Sequence, residues 1–333
     1  MRYGYSEVCL AHDTGERHPE SPDRLRAIRQ ALARRHGVDY VEADPATRAE
    51  AEAVHDAGYL DQIHEFCDAG GGEWDQDTFA CESTWDAALA AAGQARWAAL
   101  RALDGDDGRR TPFALGRPPG HHAVVDDAMG FCFLNNAAIA AEAALDAGAD
   151  RVTVFDWDVH HGNGTQDVFY DRADVFYASV HETGLYPGTG GIDETGEGAG
   201  EGWTCNLSLS AGADDADYLA AVDRVIAPLV RRHGSDLLLV SAGFDAHRHD
   251  PISRMRLSTE GFAALADRMR EAADAAGAGL GFVLEGGYGL ETLSEGVAAV
   301  HETFDGRAPV APDGDPDDGV SELLDHARDR HEF

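Results

Sequence analysis

Four short apolar runs, each ending on residues able to do chemistry, constrain the fold of this chain more than any other feature. Arg151-Val152-Thr153-Val154-Phe155 leads into Asp156-Trp157-Asp158-Val159-His160-His161-Gly162-Asn163-Gly164. Leu237-Leu238-Leu239-Val240-Ser241-Ala242-Gly243-Phe244 ends on Asp245, and Gly281-Phe282-Val283-Leu284 continues into Glu285-Gly286-Gly287-Tyr288. The uncharged Thr111-Pro112-Phe113-Ala114-Leu115 precedes Arg117-Pro118-Pro119-Gly120-His121-His122. Uninterrupted apolar runs of this length read as strands buried on both faces, which is the habit of parallel sheets. Such sheets collect their ligands outside the carboxyl ends of the strands, where these carboxylates, imidazoles and the tyrosine fall.

Helical patterns alternate with the runs. Leu134 to Leu145 is Ala-rich and stops at Gly148, a natural C-cap. Tyr218 to Arg232 carries Leu219, Val222, Ile226 and Leu229 on one face, with Pro228 expected to kink it. Strand–helix alternation implies an α/β fold, a single-domain parallel sheet flanked by helices on both faces. No linker, repeat or low-complexity stretch divides the 333 residues before Gly306. From there the chain turns rich in Pro, Asp and Gly, with a short helical pattern near Ser321 to Arg330, so residues 1–305 read as the domain and 306–333 as an acidic extension.

The strand ends carry complementary chemistry. Asp158 and His160 are two apart, so an extended segment sends both side chains from one face. An oxygen and a nitrogen donor aimed at one point suit zinc or a similar divalent ion. Gly162 and Gly164 let the backbone turn sharply beside them. Two adjacent histidines cannot share one strand face, so a turn must present His121 and His122 to a single cavity. The glycines before Tyr288 free its hydroxyl. Singly, these are a turn histidine, a helix-capping Asp and a surface Tyr; together they describe a zinc hydrolase.

The motifs resemble the histone deacetylase family, in its class II-like branch and in the arginase–deacetylase fold. His18-Pro19-Glu20-Ser21-Pro22-Asp23-Arg24, Gly130-Phe131-Cys132-Phe133-Leu134-Asn135-Asn136 and Tyr186-Pro187-Gly188-Thr189-Gly190 match further family motifs, so the similarity runs from His18 to Tyr288. The resemblance implies zinc on Asp158, His160 and Asp245, with positions left for water and a substrate carbonyl. It implies His122 as general base, His121 as its electrostatic and hydrogen-bonding partner, and Tyr288 as hydrogen-bond donor to the oxyanion. Asp156 orients His121 in this pattern, and Asn163 supports His122 where other branches carry Asp. An amide stabilises an imidazolium less than a carboxylate does, so the pKa of His122 should be lowered. Phe131, beside Gly130, and Tyr186 match the aromatic walls of a narrow channel. A potassium ion is implied on the side chains of Asp156 and Ser179 and the main-chain carbonyls of Asp158, His160 and Val180. His161 and His181 are left to structural roles.

The expected reaction is removal of acetyl groups from N-acetyl-lysine in proteins, with small acetylated amines such as acetylpolyamines as the alternative substrates. Polyamine-specific relatives carry a gatekeeper glutamate shortly after the last zinc ligand; here Ile252 follows Asp250-Pro251. An apolar gatekeeper offers a secondary ammonium no partner, although acidic groups elsewhere can replace it. An arginase-like binuclear hydrolase would need more bridging carboxylates, and a non-catalytic acyl-lysine binding protein would be expected to lose Tyr288 or a ligand.

Charge bears on surroundings rather than chemistry. All 26 cationic side chains are arginine, against 61 Asp plus Glu, for a net charge of −35. Such a surface repels nucleic acid and anionic membrane. It fits a high-salt cytoplasm and a halophilic archaeon, although codon bias in a GC-rich genome also replaces Lys by Arg. Met1-Arg2-Tyr3-Gly4-Tyr5-Ser6 does not read as a signal peptide. Cys9, Cys67, Cys81, Cys132 and Cys205, odd in number and without paired spacing, read as reduced core residues of a cytoplasmic protein. Salt at about 1 M shortens the screening length to about 3 Å, relieving self-repulsion. Melting temperature and deacetylase rate should therefore both rise from dilute buffer to molar potassium chloride, with sodium an imperfect substitute. Flat responses in both would remove the halophilic reading.

Overall fold

The structure, a computed structural model, describes residues 1–105, 111–310, 312 and 314–332. Its strands are β1 (Arg2–Tyr5), β2 (Asp39–Val41), β3 (Gly71–Glu73), β4 (Phe79–Cys81), β5 (Pro112–Leu115), β6 (Val152–Asp156), β7 (Val175–Glu182), β8 (Thr204–Leu209), β9 (Leu237–Ala242) and β10 (Gly279–Leu284). β3 and β4 form a separate antiparallel hairpin. The other eight make one sheet in the order β2-β1-β5-β10-β9-β6-β7-β8, parallel throughout.

The apolar runs are continuous because both faces are covered. Val152 and Val154 of β6, with Leu237 and Leu239 of β9, enter one core. Phe155, Leu238 and Val240 enter the other. The first core is closed by Thr84–Asp104 and Asn136–Asp146, whose buried sides are largely alanine. Short side chains let these helices lie close to the sheet and to each other. Asp23–Leu32, Thr259–Ala276 and Leu290–Phe304 cover the second face with Leu25, Ile28, Phe262, Leu265, Leu293 and Val297.

Local signals set most boundaries. The Asn135 side chain caps the helix Asn136–Asp146 by accepting the Ala138 N–H at 3.0 Å. Gly148, at φ +106°, follows its end. At Pro228, where the missing N–H suggests a kink, the regular α-helix is interrupted. Asp215–Ala221 and Ala227–His233 are joined by a π-helical turn, Val222–Ile226, in which the Ala227 N–H reaches back to the Val222 carbonyl. Widening one turn absorbs the lost donor without stopping the helix. The last helix, Asp318–Arg330, buries Val320, Leu324 and Ala327 in the second core, and Asp325 meets Arg224 at 2.6 Å. Cys81 departs from the expected core position: it is half-exposed, and its Sγ accepts the Asp13 N–H at 3.2 Å. Among the described residues no helix is long and apolar enough to cross a membrane.

Candidate active site

The four runs that end on reactive residues become β5, β10, β9 and β6, which are neighbours in the sheet in that order. Their carboxyl-end loops therefore open on one place. Asp156 closes β6 and Glu285 follows β10 directly, while Asp245 lies three residues beyond β9.

Asp158, His160 and Asp245 come together there, with one donor atom from each within 4.8 Å of the others. The strand has already ended at Asp156, so the alternation that an extended segment supplies does not operate. A bend brings the two side chains together instead: Asp158 Oδ1 accepts the His160 N–H at 2.9 Å. His160 Nδ1 lies 2.9 Å from Asp158 Oδ1 and 3.5 Å from Asp245 Oδ2. Asp158 Oδ2 accepts the Gly286 N–H at 2.7 Å and Asp245 Oδ1 the Val159 N–H at 2.9 Å, which fixes both carboxylates. Asp245 Oδ2 is buried without a hydrogen-bond partner. Burial and the charge of Asp158 push the Asp245 carboxyl up to about 7. Two buried carboxylates and an imidazole, with one oxygen unsatisfied, fit a divalent cation of the zinc type. Gly286 is required by this cradle, because a Cβ there would overlap Asp245 Oδ2 and Asp158 Oδ2.

The histidine pair flanks the cradle. His121 Nδ1–H donates to Asp156 Oδ2 at 2.8 Å, and His122 Nδ1–H to Asn163 Oδ1 at 2.8 Å. The rings sit 4.1 Å apart, and the His122 ring is 5.8 Å from that of His160. Burial lowers both imidazoles, but the charges of Asp156 and Asp158 overcome it at His121 and raise that ring to about 10. His122 stays well below its ordinary value, held down by burial and by the neighbouring His121 and His160. The amide of Asn163 offsets this only in part. The Asp156–His121 and Asn163–His122 pairings expected from the motifs are thus present as contacts.

Phe131 and Tyr186 stand on opposite neighbours of the site. The Phe131 ring meets Tyr288 edge-on at 5.7 Å, and Tyr186 meets His122 edge-on at 5.1 Å. Phe131 adopts φ +70°, unusual for a side chain of its size, and its N–H donates to the Thr78 hydroxyl at 3.2 Å. Gly130 admits both rings: a Cβ there would overlap His122 and crowd Tyr186. Burial pushes the Tyr288 phenol well up, with Arg24 opposing only in part, so its hydroxyl keeps its proton. Ile252 lies in a turn tied to Tyr288 through Asp250, whose Oδ1 accepts the Ile252 N–H and whose Oδ2 accepts the Tyr288 and Gly289 N–H groups. Asp156 and Ser179 are register partners across β6 and β7, with Val180 the next residue. The Ser179 hydroxyl also meets His181 Nδ1 at 2.9 Å. His161 is held at both nitrogens, by Thr189 and Gln166.

Three charged residues from the quoted motifs, together with Glu285, have parts that spacing did not suggest. Glu20, Arg24, Arg117 and Glu285 are all fully buried. Arg117 grips Glu20 with two parallel bonds of 2.8 and 2.6 Å and spends its remaining amine on the Cys9 and His12 carbonyls. Arg24 reaches Glu20, then the carbonyls of Glu285 and Gly287, and lies 5.0 Å from the centre of the Tyr288 ring. The available signal was the i, i+4 spacing of Glu20 and Arg24 beside motifs otherwise expected to be buried.

Known proteins resemble this chain over most of its length. A model of the histone deacetylase domain matches residues 18–304. The chain belongs to the histone deacetylase family. It is 38% identical over 348 residues to "Histone deacetylase 10, chloroplastic" of Oryza sativa subsp. japonica, covering 95% of this chain and 78% of that protein. It is 45% identical over 203 residues to "Acetylpolyamine amidohydrolase 2" of Pseudomonas aeruginosa, covering 60% of this chain and 58% of that one. The crystal structure of the HDA15 HD domain superposes with a TM-score of 0.92 at 36% identity, over all of this chain and 94% of the other. The sheet is thereby the arginase–deacetylase fold that the motifs implied.

The buried Glu20 pair makes a pH-dependent contribution to stability. Burial alone would raise this carboxyl, but the charge and hydrogen bonds of Arg117, then His12 and Arg24, hold it at about 2. A carboxyl lowered on folding stabilises above its unfolded pKa of about 4.5 and loses that contribution as pH falls toward 2. Glu20→Gln should cost roughly 3–5 kcal/mol near neutrality, since it leaves two arginines buried against an amide. The gap from wild type in denaturant midpoint should narrow as pH falls from about 4.5 toward 2, because there the unfolded carboxyl takes up a proton while the folded one stays ionised. A gap independent of pH would show that the charge of Glu20 does not stabilise the fold.

Proposed function

We propose that this chain is a zinc-dependent amidohydrolase that removes acetyl groups from N-acetyl-lysine side chains of proteins. The observation that carries the reading is the pair of adjacent imidazoles beside the three-residue metal cradle, one bound at Nδ1 to a carboxylate and the other to an amide. Environments that push two neighbouring groups apart mark a division of labour between acid and base. His122, with Nδ1–H committed to Asn163, presents a neutral Nε2 to the cavity and takes a proton from the attacking water at that atom. It later returns the proton to the leaving amine. His121, committed to Asp156, stays charged and stabilises negative charge as it develops. The Tyr288 hydroxyl donates to the oxyanion. Asp158, His160 and Asp245 would hold the zinc, which when bound supplies Lewis acidity. Phe131 and Tyr186 favour a linear aliphatic chain over a branched one.

A second reading, hydrolysis of small acetylated amines, draws support from the likeness to the acetylpolyamine amidohydrolase. Against it stands Ile252, which offers no charge to a secondary ammonium. A potassium ion between Asp156 and Ser179 is a structural part of the same proposal.

Purified protein should hold about one zinc per chain, and two tightly held transition metals would favour a binuclear hydrolase. In molar potassium chloride, acetyl-lysine peptides should be turned over faster than acetylated polyamines; the reverse order would select the second reading. Tyr288→Phe should lower kcat by about 10²–10³ with zinc retained, because it removes one oxyanion donor. An unchanged rate, or no turnover of either substrate by wild type, would defeat the catalytic assignment.

A further inference from the structure

The groups assigned to catalysis come from separate loops. His121 and His122 lie beyond β5, and Tyr288 lies beyond β10. These two strands pair through only Phe113↔Phe282 and Ala114↔Val283, and both loops have left the ladder before the reactive residues begin. Something other than the sheet must set their separation.

Glu285, the first residue after β10, spans that gap. Its Oε2 accepts two consecutive N–H groups, Gly120 at 2.7 Å and His121 at 3.2 Å. Its Oε1 accepts the Ser241 hydroxyl of β9 at 3.1 Å, and its own N–H donates to the Ala242 carbonyl at 3.1 Å. Its carbonyl accepts from Arg24, which also holds the Gly287 carbonyl at 2.8 Å beneath the Tyr288 ring. The next residue, Gly286, donates to Asp158 of the metal cradle. One fully buried residue thus touches the histidine turn, the tyrosine turn and the strand between Asp156 and Tyr288. Removing the carboxylate would leave the Gly120 and His121 N–H groups buried without acceptors.

We infer that Glu285 is a positioning residue, tethering the His121–His122 turn to the Tyr288 turn at the separation deacetylation needs. This rests on the deacetylase reading for its consequence, though not for the tether itself. The tether needs acceptors at a given reach, not a charge. A glutamine satisfies it: its amide oxygen accepts both N–H groups and its amide nitrogen donates to the Ser241 oxygen. Aspartate keeps the charge and loses the reach.

The full chain, zinc-loaded, should be compared as wild type, Glu285→Ala, Glu285→Gln and Glu285→Asp. The readouts are hydrogen exchange in peptides spanning 118–123 and 285–289, and kcat and KM on an acetyl-lysine peptide. Glu285→Ala should speed exchange in both peptides together and lower kcat by about 10²-fold with KM little changed, the usual cost of misplacing reacting groups by about 1 Å. Glu285→Gln should restore both exchange protection and most of kcat, while Glu285→Asp should not. If the alanine variant does not fold, the aspartate variant decides alone: full protection and full kcat there overturn the proposal. Unaltered exchange in Glu285→Ala also overturns it, as does a glutamine variant as slow as alanine, which would assign a charge effect instead. A wild type without turnover would defeat the deacetylase reading, and the exchange comparison would still decide the tether.

Discussion

Concentrated buried negative charge is the constraint to which the rest of the structure answers. Asp156, Asp158, Asp245 and Glu285 are all excluded from solvent at the carboxyl edges of β6, β9 and β10. Carboxylates placed so closely in a poorly polarisable interior repel one another and lose their hydration. The fold compensates with loop N–H groups, from Gly120, His121, Val159, His160 and Gly286, each aimed at a carboxylate oxygen. His121 adds an imidazole N–H to Asp156, whose negative charge raises that ring above its ordinary value. One oxygen, Asp245 Oδ2, makes no hydrogen bond and meets His160 Nδ1 only at 3.5 Å, and that is where a metal fits.

The same constraint explains the use of arginine deep in the core. A guanidinium presents several donors in a fixed plane, so one side chain can satisfy a carboxylate and several carbonyls at once. Arg117 and Arg24 share Glu20 and spend their other donors on main-chain carbonyls of the segment before it and of the Tyr288 turn. The segment from Cys9 to Arg24 is thereby fastened to the loop that follows β10 and to Arg117 beyond β5.

Adjacent histidines with opposite tuning follow from what each ring faces. His121 looks toward Asp156, which is buried and ionisable, while His122 looks toward an amide and toward two other imidazoles. Chemical identity in the chain is the same for both; the difference is made by neighbours that arrive from β6 and from the helix Asn163–Phe169.

The sequence by itself determined which segments become buried strands and what chemistry sits at their ends. Both are local properties, since an apolar run records burial on two faces and a reactive residue directly after it must emerge at the strand's end. Motif resemblance extended this to the pairings of Asp156 with His121 and of Asn163 with His122, both present as contacts. Only the tertiary structure decided the spatial order β5-β10-β9-β6, which sets the first and last of the four runs side by side. It also decided the bend that joins Asp158 to His160, the π-turn ahead of Pro228, and the burial of Glu20, Arg24, Arg117 and Glu285. These depend on groups far apart in the chain, such as Glu285 and Gly120, 165 residues apart. A charged residue next to an apolar run carries no mark of whether water or a distant N–H will satisfy it; only the packed fold supplies that partner.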